Sequence, residues 1–409
     1  MKILLVHNFY GSIAPSGENS VYLAERALLR QHGHEIIEFT RNSDEIRDHG
    51  LFGIVRGALS TPWNPFTVSR LRKLLTHERP DIMHVHNTFP LLSPAVFHAA
   101  AGFPTARVLT LHNYRTFCAA GIPLRQQRTC IDCLDQRSIL PALHHGCYRE
   151  SRLTTLPMAT MIALHRALGT WRRHVDAFIC LSTLQKETLA GAGLPGEKIH
   201  IKPNFYPDPP TPLPWKDRDD VVLFIGRLAD YKGVRHLVKV WQEWGDAAPR
   251  LELIGDGPER VFIEESAARC DRIKLLGHLS FAETQARLSR ARLLVLPSIC
   301  FEGFPMVIRE AFALGVPVAT SRLGPLPAIV SEGKVGRLFP PGNEPEMLRI
   351  IREMWHNRGD LAAMGRAAHE EFEQMYTAER NYRQLLNIYR NARNQRGLTS
   401  HGTALSATT

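Results

Sequence analysis

Residues 293–319, LLVLPSICFEGFPMVIREAFALGVPVA, constrain this chain more than any other stretch. Four apolar residues, 293–296, end at Pro297-Ser298 and read as a strand buried on both faces. A loop carries Cys300 to Gly303. Pro305 fits a helix start, where a missing N–H costs nothing, and Gly315 followed by Pro317 closes that helix. Strand, loop, helix and strand in this order make one unit of an open α/β sheet, which takes ligands beyond the carboxyl ends of its strands. The amides of Phe304, Met306 and Val307 at the helix start attract an anion. A carboxylate at Glu302 repels a phosphate and seeks hydroxyl groups instead, and Glu310 can likewise accept from a vicinal diol. A sugar joined to a nucleotide diphosphate offers both kinds of partner. Two glutamates eight positions apart also arise by chance, so the pair alone decides nothing.

With 409 residues, 44% of them hydrophobic, the chain is long enough for two domains with separate cores. Its first apolar run, Ile3 to Val6, is too short for a signal peptide, and no run of about 18 apolar residues follows. A cytoplasmic protein is expected. The formal charge is +10, and residues 1–214 hold 23 Lys and Arg against 16 Asp and Glu. No nucleic-acid motif accompanies this unclustered excess, so no nucleic-acid partner is expected; an anionic membrane surface or a diphosphate-bearing acceptor suits it better.

The opening reads as a βαβ unit: strand 2–6, a loop with Gly11, Pro15, Ser16 and Gly17, helix 21–31 and strand 35–39. Its glycines form neither the dinucleotide fingerprint nor a P-loop, which disfavours nicotinamide and ordinary kinase chemistry. Residues 51–73 mix Arg56, Trp63, Phe66, Arg70, Arg72 and Lys73 without clean periodicity and read as a loop facing a membrane or an acceptor, or as a solvated loop. Strand ends then deliver His84, His86 and Asn87, followed by His112 and Asn113, into a ligand crevice. Prolines crowd residues 199–214, the expected linker. A second α/β unit presents Gly226-Arg227, Lys232-Gly233 and Gly255 to Gly257 at its strand ends, before the 293–319 element. Helices are expected over 344–355, 360–375 and 378–394.

The order and spacing of these strand-end features resemble the GT-B glycosyltransferases of family 4, over nearly the whole chain. Glu302 and Glu310 with GFP between them resemble that family's carboxylate pair; Arg227 and Lys232, in GRLADYKG, resemble its diphosphate-binding pair. The resemblance implies two Rossmann-like α/β domains facing a central cleft: an acceptor-binding domain over 1–205 and a nucleotide-sugar domain over 216–375. It also implies a helix over 376–394 returning to the first domain, with a disordered tail over 395–409. It implies a retaining hexosyltransferase with no metal or cofactor needed for catalysis. His112, Arg227, Lys232 and Glu302 would be catalytic; Gly17, Gly226, Gly257, Gly303, Phe304, Pro305, Met306, Val307 and Glu310 would hold the donor. The acceptor would be a glycan or polyprenyl-diphosphate-linked sugar in cell-surface or exopolysaccharide synthesis, reached at the inner membrane surface. Ser16-Gly17 departs from the family's glycine pair. The rival readings are a GT-B nucleotide-sugar epimerase and a non-catalytic basic binding protein.

Four of the seven cysteines, Cys118, Cys130, Cys133 and Cys147, fall within thirty residues. A reducing compartment disfavours disulfides. Cys130-x-x-Cys133 has the chelating spacing of a zinc knuckle, and the flanking pair would complete a closed structural zinc site in a loop-rich insertion over 118–147. Buried, inert thiols are the competing expectation.

Overall fold

The computed structural model describes residues 1–11, 17–126 and 128–398. In chain order the strands are β1 (Lys2–Phe9), β2 (Glu35–Asn42), β3 (Ile82–Asn87), β4 (Ala106–Leu111), β5 (Leu124–Arg125), β6 (Arg128–Thr129) and β7 (Ala177–Cys180). They continue with β8 (Ile199–Ile201), β9 (Val221–Ile225), β10 (Arg250–Ile254), β11 (Ile273–Gly277), β12 (Leu293–Leu296), β13 (Val318–Ser321) and β14 (Gly336–Phe339). Two six-stranded parallel sheets result, ordered β2-β1-β3-β4-β7-β8 and β11-β10-β9-β12-β13-β14, with β5 and β6 pairing as a short antiparallel ribbon. Each sheet is covered by helices on both faces, which is why the central strands β3, β4, β12 and β13 are buried throughout rather than alternating.

Strand order reverses between β1 and β3 in the first sheet and between β9 and β12 in the second. These switch points open crevices at the carboxyl ends of the strands. The loops after β9 and β12, carrying Arg227 and Glu302, flank the second one.

The chain crosses between the two sheets twice, and the crossings are tied: the Tyr206 N–H donates to the Tyr376 carbonyl at 3.1 Å. The final helix, Ala378–Gln395, starts at Thr377, whose side chain caps Arg380 N–H, and buries Leu385, Ile388, Tyr389 and Ala392 among Ile3, Leu5, Val108 and Ile179 of the first sheet. A helix late in sequence thus completes the first core.

Two expectations need correction. Residues 51–73 are not a loop but parts of two helices, Gly50–Ser60 and Pro65–Glu78; Asn64 caps the second through Thr67 N–H, with Pro65 at its start. Between them Trp63 is partly buried, its ring 5.8 Å from that of His165. The proline-rich stretch does not begin as linker, because Ile199–Ile201 extends the first sheet alongside β7. The final helix ends at Gln395, and residues 399–409 of the expected tail lie outside the described region, as do residues 12–16 of the opening loop.

Because the returning helix fills the first core, Leu385→Ala is expected to cost about 2–5 kcal/mol of stability. Exposed Arg390→Ala is expected to stay within about 0.5 kcal/mol. Urea denaturation of both variants checks this.

Candidate active site

On the second-domain side, Lys232 sits on a short turn ahead of the Val234–Trp244 helix. The turn presses onto the loop after β12. A Cβ on Gly233, whose φ is +72°, would stand 1.9 Å from the Pro297 carbonyl oxygen, so only glycine permits the approach. Lys232 Nζ then lies 2.6 and 2.8 Å from the two Glu302 carboxylate oxygens, and Ser298 Oγ donates to Glu302 Oε1 at 2.5 Å. Burial alone would push the Lys232 ammonium down, but the Glu302 charge outweighs it and holds the group above its usual value.

Glu310 projects from the Met306–Ala313 helix and accepts from Gln285 Nε2 at 2.9 Å; Gln285 Oε1 in turn accepts from Tyr206 O–H at 3.1 Å. Burial raises the Glu310 carboxyl, partly offset by the Arg309 charge and the Gln285 bond. Arg227 is exposed and forms no ion pair among the described residues. Its loop is clamped to the turn after β10. The Leu228 N–H donates to the Asp256 carbonyl at 2.9 Å, and a Cβ on Gly257 would stand 2.3 Å from the Leu228 oxygen. Pro305 caps the Met306–Ala313 helix, whose first N–H groups, those of Met306 and Val307, have no intrahelical acceptor.

The first domain reaches this site closely. A Cβ on Gly303 would come 3.1 Å from the His112 carbonyl oxygen, and one on Gly17 would come 3.4 Å from Met306 Cγ. Asn204 Nδ2 approaches Met306 Sδ at 3.4 Å. His112, Gly17, Gly303 and Met306 therefore line one cleft with Lys232 and Glu302. Asn113, next to His112, donates to Glu18 Oε1 at 2.8 Å.

Behind His112 lies a buried polar network that sequence reasoning did not assemble. His112 Nε2 is 3.1 Å from His86 Nδ1, with the rings stacked. Glu25 Oε1 is 3.1 Å from His84 Nδ1 and 3.3 Å from His86 Nε2, close polar contacts that fall short of aligned hydrogen bonds. Glu25 Oε2 accepts from Lys202 Nζ at 2.8 Å, Lys202 also donates to Asn381 Oδ1 at 3.1 Å, and His84 pairs with Tyr389 O–H at 2.8 Å. Glu25, His84 and His86 hold donor atoms within 4.8 Å of one another, a metal-like spacing, but Lys202 already supplies the cation. Burial pushes His86 down to about 4 and His112 well below its ordinary range, and the neighbouring histidines add to the effect. Burial favours the neutral Glu25 carboxyl, yet Lys202 and His84 outweigh it and hold the group well below 4.5.

The signal for Glu25 was present: it shares the buried face of the Gly17–Gln31 helix with Val21, Tyr22, Leu28 and Leu29, a charge at a core position. Lys202 and Gln285 carried no such mark. The four cysteines of the insertion are unpaired by disulfide and outside this cleft.

Burial pushes His7 down to about 3 as well as His86 to about 4. Both are neutral in the fold and would bind a proton in the unfolded chain below about 6.5. Stability is then full above that value and falls as pH drops toward 4, by about 1.4 kcal/mol per pH unit for each histidine. Denaturation midpoints measured from pH 7.5 to 4.5 check this slope, which His86→Gln should lessen by one proton's worth.

Two family models match the chain. The one described as Glycosyltransferase Family 4 matches residues 17–207, and that described as Glycosyl transferases group 1 matches residues 219–357. Among curated relatives, the 2-deoxystreptamine glucosyltransferase of Streptomyces kanamyceticus is 25% identical over 76% of this chain and 78% of its own length. The sulfoquinovosyl transferase of Arabidopsis thaliana is 31% identical over 77% of this chain and 57% of its own. The crystal structure of Anabaena HepE in complex with UDP superposes with a TM-score of 0.61 at 17% identity, covering 95% of this chain and 99% of that one. Both models describe glycosyltransferases, which leaves the epimerase reading without support. On these matches and on its two facing parallel-sheet domains, the chain belongs to the GT-B glycosyltransferases of family 4.

Proposed function

We propose that the protein moves a sugar from a nucleotide diphosphate donor to a glycan or lipid-linked acceptor, with retention of anomeric configuration. One observation carries the reading. Lys232, Glu302 and the open N-terminus of the Met306–Ala313 helix share a single cleft with His112, and an unpaired Arg227 lies beside the same switch point. Arg227, Lys232 and the helix amides take the diphosphate, Glu302 the sugar hydroxyls and Glu310 the ribose diol. HepE was solved with UDP, which supports a uridine nucleotide donor for this chain.

In the transfer, the bond from the anomeric carbon to the phosphate oxygen breaks and a bond to the acceptor oxygen forms on the same face. The acceptor proton passes to the leaving diphosphate. Charge grows on the diphosphate, where fixed cations lower the barrier. His112 is held neutral by burial and is a poor proton acceptor, which suits a hydrogen bond to the sugar better than the general base an inverting displacement needs. No step here calls for a metal or cofactor.

Donor identity is read by thermal shift over a panel of nucleotide sugars, since a ligand at 100 times its Kd adds about 2.7 kcal/mol. With the donor found, nucleoside diphosphate release should fall about a hundredfold in Lys232→Ala, equivalent to about 3 kcal/mol of barrier. Arg227→Ala should fall similarly, and His112→Ala should lower transfer while sparing donor binding. Undiminished turnover in an Arg227→Ala, Glu310→Ala double variant would overturn the assignment.

The acceptor side adds a second feature. In the Gly50–Ser60 helix, Gly53 and Gly57 pack inward against Ile46, while Leu51, Phe52 and Leu59 are 82%, 73% and 74% exposed. Small residues in and large apolar residues out is the reverse of a water-facing helix. Exposed Phe66 follows, with Arg56, Arg70, Arg72 and Lys73 exposed on the same two helices. This combination fits peripheral contact with an anionic lipid surface; no helix among the described residues is long and apolar enough to cross a membrane. Vesicle sedimentation should show binding that rises with anionic lipid and weakens with salt, and a Phe52→Ser, Leu59→Ser variant should lose most of it. Equal binding to neutral and anionic vesicles would overturn the electrostatic part.

A further inference from the structure

His112 meets the cleft with one ring nitrogen already committed. Its Nε2 lies 3.1 Å from His86 Nδ1, so Nδ1 is the nitrogen left for a ligand. His112 is partly exposed, and its Nδ1 bonds to nothing among the described residues and is not sealed from solvent. A neutral imidazole nitrogen offers either a lone pair or an N–H, and which one is set by the partner of the opposite nitrogen. What His112 presents to the cleft is therefore decided behind the cleft wall, by contacts that the fold holds in place.

His84 and His86 stand two positions apart on β3 and so share a face of the sheet, and the Gly17–Gln31 helix lays Glu25 against both. All three side chains are buried. Lys202 Nζ, itself buried, donates to Glu25 Oε2 at 2.8 Å, and this cation keeps the carboxylate ionised. The other carboxylate oxygen stands 3.3 Å from His86 Nε2. No other polar group bonds to that nitrogen among the described residues.

The His86–His112 contact admits two proton arrangements, since one nitrogen must donate and the other accept. In the first, His86 Nδ1–H donates to His112 Nε2, which leaves His86 Nε2 as a buried lone pair facing an anionic oxygen. In the second, His86 carries its proton on Nε2, toward the Glu25 charge, and its Nδ1 accepts from His112 Nε2–H. A lone pair against a carboxylate repels and an N–H against it attracts, even off the ideal axis, and burial leaves neither effect screened. The second arrangement is the stable one. Doubly protonated rings are disfavoured, because burial pushes His86 down to about 4 and His112 well below its ordinary range.

We propose that Glu25 is a positioning residue for sugar transfer: through His86 it fixes His112 as the Nε2–H tautomer, so that Nδ1 presents a lone pair to the cleft. This rests on the transferase reading given above. A lone pair accepts from a hydroxyl and repels a phosphate or carbonyl oxygen. His112 thus takes a sugar hydroxyl and leaves the diphosphate to the cations of the second domain. Glu25 itself touches no substrate, and Lys202 acts one step further back by keeping it charged.

Glu25→Gln tests the relay because it keeps the shape and removes the charge. The amide oxygen takes the Lys202 bond and the NH₂ faces His86 Nε2, which must then be bare. Both rings should change tautomer, and His112 Nδ1 should become an N–H. ¹⁵N spectra of histidine-labelled full-length protein at neutral pH separate bare from protonated ring nitrogens, with the His112 signals assigned by their loss in His112→Ala. The wild type should show His112 Nδ1 bare and Nε2 protonated, and Glu25→Gln the reverse. With the donor found, kcat should fall about tenfold in Glu25→Gln, the worth of one hydrogen bond, while donor binding by thermal shift is spared. In a His112→Ala background the same substitution should cost nothing more, a result that a merely structural role would not give. Wild-type His112 protonated on Nδ1 overturns the proposal. So does a Glu25→Gln enzyme with unchanged tautomer or turnover, or one whose loss persists without His112. If Glu25→Gln does not fold, the wild-type spectrum decides, a bare Nδ1 supporting the relay and a protonated one overturning it. A chain that turns over no donor overturns the function proposed above, whereas the spectra need no substrate and judge the tautomer separately.

Discussion

The buried carboxylate of Glu25 sets a condition that the rest of the first domain must meet. An ionised carboxylate in a core is costly unless a cation and further hydrogen bonds reach it. Here the cation comes from Lys202, at the start of the crossing to the second domain, and the polar company from Asn381 and Tyr389 on the helix that crosses back. Lys202 meets the charge from the first domain's own edge, but the polar partners that complete the network arrive only after the chain has visited the second domain and returned. The hinge between the domains and the inner wall of the cleft are parts of one electrostatic unit, because His86 touches both Glu25 and His112.

The second domain handles charge differently. Lys232 and Glu302 neutralise each other directly as a largely buried pair, with Ser298 fixing the carboxylate. Such a pair is a placeholder: its members present opposite charges to a ligand that has both phosphates and hydroxyls. On the function proposed above, a donor entering the cleft would exchange one partner for a better one on each side, so little desolvation would remain to be met at binding. Arg227, exposed and without an ion pair among the described residues, adds a planar fork suited to phosphate oxygens.

Much of this was legible in the sequence because it depends on local chemistry. Glycines at 233 and 257, the proline before Met306 and the short apolar runs of β9, β10 and β12 dictate turns and strands within a few residues of themselves. The first of the two helices over 51–73 was not legible for a definite reason: its large apolar residues face outward, so the periodicity that marks a core-facing helix is inverted by Gly53 and Gly57. Gln285 and Lys202 were invisible on other grounds, since each gains its role from a partner 25 or more positions away. Long-range polar pairing leaves no trace in spacing. Where a charge sits on the apolar face of a helix, as Glu25 does, the trace exists and marks the centre of such a network.

The outward-facing apolar helix and the cysteine-bearing insertion both belong to the first domain, the one the proposed function assigns to the acceptor. That division follows from what each half must recognise. A nucleotide diphosphate has a fixed shape and charge, so its cleft can be built from strand-end glycines, two cations and a helix terminus, all set by the sheet itself. An acceptor varies in size and in how it is presented, and a lipid-linked one arrives in a plane rather than from solution. Recognition of that kind needs added surface, and added surface outside the sheet has little core of its own. The insertion borrows Phe89, Met158 and Ile162 for the purpose, and the Gly50–Ser60 helix leans on a single isoleucine through two glycines.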